Sequence, residues 1–176
     1  MLSSSKAYFS PFIEVSLLRR PPQDIPQSQY LLRSNLMIYV FLGILNASLH
    51  HTFINATLIA LVDLGMLLVL LYLWLLLFGW QNRWMQTVTA LSGAGCIIGL
   101  IALPISLLSL QEWQGTTSAL MIFLQVFLFV WNISLYAYVF KHSFSTHIIV
   151  AACMAIFYYL FFLSVISMFL LEVSES

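Results

Sequence analysis

Apolar residues run through most of this chain in long unbroken stretches, each ended by a few polar positions. After residue 29 five such stretches run approximately 30–50, 56–79, 84–110, 117–140 and 147–171, and the breaks between them read HHTFIN, GWQNRW, QEWQGT and KHSFST. About 20 residues at 1.5 Å rise suffice to cross a hydrocarbon layer of about 30 Å. Each stretch is therefore expected to be a spanning helix, because unpaired backbone groups in lipid are costly and no ten-residue alternation of a membrane barrel is present. The fold class expected is all-α: an integral membrane bundle of five transmembrane helices, preceded by a short amphipathic helix.

That first helix is read from residues 10–18, where Ser10 and Pro11 open a segment whose Phe12, Ile13, Leu17 and Leu18 suit the headgroup layer of a bilayer. Pro21, Pro22 and Pro26 end it, and Ser28 is a good N-cap for the first span. The chain thus divides into a segment 1–29 with a proline-rich elbow, a bundle 30–171 and a tail 172–176. Residues 1–18 lack the unbroken apolar core and small-residue cleavage site of a signal peptide, so insertion is expected to be directed by the first span.

Composition agrees with this division: 62% of the 176 residues are hydrophobic and only 7% charged, far below the quarter expected of a soluble domain. Connections this short hold no folded domain, which excludes βαβ nucleotide binding, and a net charge of zero gives no pull toward nucleic acid. The expected surroundings are the lipid bilayer and other membrane proteins or a second copy of the chain.

The six basic residues orient the bundle. Lys6, Arg19, Arg20 and Arg33 lie before or at the start of the first span, Arg83 in the second connection and Lys141 in the fourth. With five spans and a cytoplasmic N-terminus every one of them falls inside, as the positive-inside rule requires, and the C-terminus falls outside. A bacterial inner membrane is the expected location. Tyr30, Trp80 and Trp84 suit the inner interface and Trp113 the outer one, whereas Trp74, Trp131, Tyr158 and Tyr159 fit neither.

Asp63 is the one ionisable side chain placed well inside a span, about 10 Å from the outer end of the second stretch by helical rise. Asn46, His50 and His51 are its expected neighbours across a tight turn. Such a group either makes an interhelical hydrogen bond or forms a proton or cation site. The third stretch carries small residues, with Gly95 and Gly99 in GxxxG spacing for close helix packing, and Pro104 is expected to kink it. Gln125 and Asn132 share one face of the fourth span, while the fifth, bulky and aromatic, is expected to pack peripherally. No metal site, cofactor site or catalytic triad can be assembled, and Cys96 and Cys153 read as small apolar residues rather than a disulfide. The sequons at Asn46, Asn55 and Asn132 lie in or against the spans and read as chance matches.

In PPQDIPQS (21–28) and QTVTALSGAGCIIGLIALPISLL (86–108), and in the order of a proline-bearing segment followed by five closely spaced spans, the chain resembles the Yip family of small membrane proteins. The resemblance implies a non-enzymatic membrane-organising protein, of a kind linked in eukaryotes to vesicle traffic and small GTPases. Two functions stay open: a scaffold or partner subunit without catalysis, and a small proton or cation transporter using Asp63 and the Pro104 kink.

Overall fold

The computed structural model describes residues 10–111 and 116–175; Lys6, Glu112 and Trp113 lie outside the described residues. These residues form helices joined by short turns, with no strand among them. A short helix α1 (10–16) and a 3-10 turn at Pro22–Asp24 precede five long helices: α2 (Gln29–Ser48), α3 (Phe53–Leu77), α4 (Trp84–Ser109), α5 (Thr116–Ser143) and α6 (Ile148–Glu175). All five long helices are apolar and long enough to cross a membrane. The chain is a multi-pass integral membrane protein.

Each helix begins and ends where local chemistry dictates. Ser28 caps α2, its hydroxyl accepting from the Leu31 N–H at 3.4 Å, and the Thr52 hydroxyl receives the Asn55 N–H in the same way. The second cap starts α3 three residues earlier than the apolar run suggests. Gly79, at φ +75°, closes α3 with the paired hydrogen bonds of Trp80 N–H to Leu75 O and Gly79 N–H to Leu76 O. Ser145, at φ +51°, ends α5 in the same conformation.

The turns at 78–83 and 144–147 and the elbow at 22–28 lie at one end of the bundle, here the near end; the turn at 49–52 lies at the far end. Arg83 ties the near end together. Its guanidinium donates to the carbonyls of His142 and Ser143 and to the Ser145 hydroxyl, and it lies 3.9 Å over the Trp80 ring. A cation is thus set on the last free carbonyls of α5, where the helix dipole is negative. Lys141 and Arg33 are exposed toward the same end, and no Lys or Arg occupies the far-end turn at 49–52.

Packing runs α3 on α2, α2 on α4, α4 on α5 and α5 on α6, with α3 also touching α4 and α6. Leu67, Leu71 and Leu75 of α3, Val88, Leu91 and Ile98 of α4, Leu135, Val139 and Phe140 of α5, and Ala151 and Ala155 of α6 belong to one buried apolar cluster. Spacings of three, four and seven residues place most of these side chains on one stripe of their helix. Trp74 belongs to this core, edge-on to Phe140 at 5.4 Å between ring centres. α4 stays helical through Pro104.

The N-terminal helix divides its apolar residues between the bundle and the outer surface. Phe12, which its sequence suits to the headgroup layer, is instead buried with Val15 and Ser16 against the bundle. Phe12 lies so close over Gly93 that a Cβ there would overlap its ring. The Trp131 indole N–H donates to the Ser16 carbonyl at 2.8 Å, which satisfies a backbone acceptor at the helix end. Only Ile13, Leu17 and Leu18 remain on the outer face. The elbow is held in turn by the Gln86 amide, which donates to the carbonyls of Gln23 and Ile25.

Gly93→Val is expected to expel Phe12 and undock α1. Trypsin cleavage after Arg19 in detergent-solubilised protein should then quicken by about tenfold or more, the factor that corresponds to about 1.4 kcal/mol of docking. Cleavage at an unchanged rate would show that α1 does not depend on this contact.

Candidate functional site

Asp63 lies ten residues into α3, so about 15 Å from its far-end start and near the middle of the helix. Two phenols from two other helices converge on it. Tyr39 of α2 donates its hydroxyl to Oδ2, and Tyr158 of α6 donates to Oδ1 at 2.8 Å. One carboxyl therefore joins α2, α3 and α6. No salt bridge to Asp63 occurs among the described residues; the ion pair found there, Arg20 with Glu14 at 3.3 Å, is elsewhere.

The geometry of the clamp depends on what α4 lacks. A Cβ on Gly95 would stand 2.7 Å from Cε2 of Tyr39, so only glycine lets the Tyr39 ring lie flat against α4 while its hydroxyl reaches across to α3. Tyr136 of α5 covers the other side, its ring 5.0 Å from that of Tyr158 and 5.3 Å from that of Tyr159. Tyr136 and Tyr158 are both buried. The aromatic residues of α6 thus reach the centre of the bundle, and the expectation of a merely peripheral fifth span fails at Tyr158.

Beside the clamp is a cavity of about 280 Å³, with Asp63, Tyr39, Asn46, Asn132 and Tyr136 as its polar wall and Gly95, Gly99 and Ile98 among the apolar remainder. The Asn46 amide is committed to backbone: it donates to Leu42 O at 2.9 Å and to Gly99 O at 3.2 Å, pinning α2 to α4. Asn132 differs. Its Oδ1 is buried and receives no hydrogen bond.

Of the residues singled out in the sequence, Asp63 and Asn46 come to the same cavity, with Gly95 and Gly99 in its wall. His50 does not come to it; it is exposed in the far-end turn, as is His51. Pro104 is exposed on α4 beyond the cavity, and Gln125 is exposed on α5. Among the described residues no group of three or more His, Cys, Asp or Glu could hold a metal, and Cys96 and Cys153 are free. Tyr39, Tyr136 and Tyr158 carry the site without having been singled out for it. Their one signal is position: Tyr158 falls inside its span, where no aromatic belt accounts for it, and a phenol at that depth needs a polar partner.

Tyr39→Phe and Tyr158→Phe should each lower the unfolding free energy by about 0.6–2 kcal/mol, the usual worth of an interhelical hydrogen bond. In an Asp63→Leu background the same changes should be neutral or stabilising, since the phenols then have no acceptor to lose. Equilibrium unfolding of micellar protein by SDS measures both; losses that simply add would remove the carboxyl as the shared acceptor. No family model, curated protein or solved structure matches the chain, so a functional reading rests on this geometry.

Proposed function

We propose that the chain is a non-enzymatic membrane protein that binds a cation at the middle of the bilayer and passes it across. One observation carries this reading: a cavity at mid-span is walled by a carboxyl with no cationic partner among the described residues and by an amide oxygen with no donor. An ionisable group at that depth costs about 2.5–3.5 kcal/mol on insertion scales. The two tyrosine hydrogen bonds offset part of that cost and supply no charge. A proton or a cation in the cavity supplies it.

A scaffold or partner-subunit role is the second reading. It is favoured by an apolar groove of about 380 Å³ along α2, lined by Leu36, Met37, Val40, Phe41, Ile44 and Leu64. Met37 and Phe41 are among the most exposed side chains of the bundle, and the groove suits an apolar helix of a partner protein. The resemblance of residues 21–28 and 86–108 to the Yip family supports the same role.

In either role we place the near end, which carries Arg33, Arg83 and Lys141, in the cytoplasm of a bacterial cell and the far end outside the inner membrane. Cysteines introduced at the exposed positions Gln81 and His51, in a chain freed of Cys96 and Cys153, test this. An impermeant maleimide should label His51→Cys in intact cells and Gln81→Cys only after permeabilisation; the reverse pattern would invert the bundle.

Purified protein in liposomes should conduct protons or monovalent cations down an imposed gradient, and Asp63→Asn should reduce that flux by about tenfold or more, as loss of a charge-assisted contact of about 1.5 kcal/mol implies. No flux from the native chain would leave the scaffold as the working role.

A further inference from the structure

The cavity wall says more than that a positive charge is wanted. Asp63 uses one lone pair on each oxygen for the phenols, and a carboxylate accepts up to about four hydrogen bonds, so acceptor capacity remains on both oxygens. Asn132 adds a buried carbonyl oxygen that receives nothing. Buried polar atoms are nearly always paired, and Asn132 lines the same cavity as Asp63. The Asn46 amide hydrogens are already spent on Leu42 and Gly99. Acceptor capacity is thus left over beside the cavity.

The rest of the wall lacks polarity altogether: six of the eleven lining residues are Leu42, Gly43, Gly95, Ile98, Gly99 and Ala102. A bare metal ion seeks about six oxygens at roughly 2.0–2.6 Å, which a half-apolar wall does not provide. The space is also too large for one. At about 280 Å³ it is close to twice the roughly 150 Å³ cavity that accommodates benzene. Tyr39 and Tyr136 present aromatic rings to it, surfaces that attract an organic cation.

We propose that this cavity binds a small organic ammonium ion: a protonated primary amine whose N–H groups donate to Asp63 and Asn132 and whose short hydrocarbon or aromatic body lies against Tyr39, Tyr136 and Ile98. The proposal rests on the cation reading above and narrows its ligand. The clamp and the ligand share the carboxyl without competing, because the phenols fix its orientation and leave its remaining lone pairs to the amine.

The test uses full-length protein in nanodiscs, with thermal unfolding read at constant ionic strength. The probes are butylammonium and benzylammonium chloride, with sodium and potassium chloride and the neutral butanol and benzyl alcohol as counterparts. The ammonium salts should raise the melting temperature saturably, as ligands of the folded state do, and the counterparts should not. Asn132→Leu leaves the Asp63 clamp in place. It should melt no lower than the native chain without ligand, since an unsatisfied buried oxygen is removed, yet bind the ammonium probes about tenfold or more weakly, the effect of losing a hydrogen bond to a charged group. A saturable response to sodium or potassium alone would overturn the ammonium class and keep the cation reading. Equal responses to the alcohols would overturn recognition of charge. No response to any cation, together with flux indifferent to Asp63→Asn, would overturn both proposals, and unchanged affinity in Asn132→Leu would remove that residue from the site.

Discussion

A polar group carried to the middle of an apolar bundle must find its partner inside the bundle, and the arrangement of the helices follows from how this chain meets that demand. Asp63 is the extreme case. Satisfying both its oxygens requires α2 and α6, which are far apart in sequence, to meet α3 at one level. Apolar packing alone fixes helix positions poorly in lipid, because a leucine gains little by exchanging lipid for another leucine. The carboxyl therefore sets the vertical register of three helices. Asn46 on Gly99 does the same for α2 and α4, and Arg83 on the end of α5 does it for the near end.

α4 is the helix on which these contacts converge, and the reason is its run of small residues. Gly95 and Gly99 are one turn apart on the face toward α2, where they receive the ring of Tyr39 and the amide of Asn46. Gly93, two residues earlier and hence about 200° around the helix, opens the opposite face to Phe12. A plain GxxxG pair would serve one neighbour. The longer stretch from Ser92 to Gly99 serves two, and this is why α1 can lie against the bundle while α2 packs closely on the other side.

The five spans, the cap at Ser28 and the importance of Asp63, Gly95 and Gly99 were legible in the sequence because each depends on local pattern: run length, capping chemistry, or an expensive residue at depth. Most of the elements not legible depend on contacts between helices distant in sequence. Tyr158 lies 95 residues from Asp63, and Trp131 lies 115 from Ser16, so no periodicity links either pair. His50 was misplaced for a related reason. Adjacency in a hairpin suggested proximity to Asp63, but α3 begins at Phe53 and carries Asp63 about 15 Å away from the turn where His50 stays. For α1, a face of Phe12, Val15 and Ser16 looks the same whether lipid or protein covers it, and only the open surface at Gly93 decides the matter.

A site that is fully satisfied without a ligand has nothing left to offer one. The Asp63 clamp comes close to that condition, since each oxygen already holds a phenol, and taken alone it would be a structural joint. What separates it from a joint is the imbalance around it: donors at Tyr39, Tyr158 and Asn46 are all committed, while acceptor capacity at Asp63 and Asn132 is left over beside an open space. Leucine at position 132 would close that space at no hydrogen-bonding cost. An asparagine whose oxygen receives nothing is a loss to the empty bundle, of about 1–3 kcal/mol for a buried acceptor, and a donor entering the cavity would recover it.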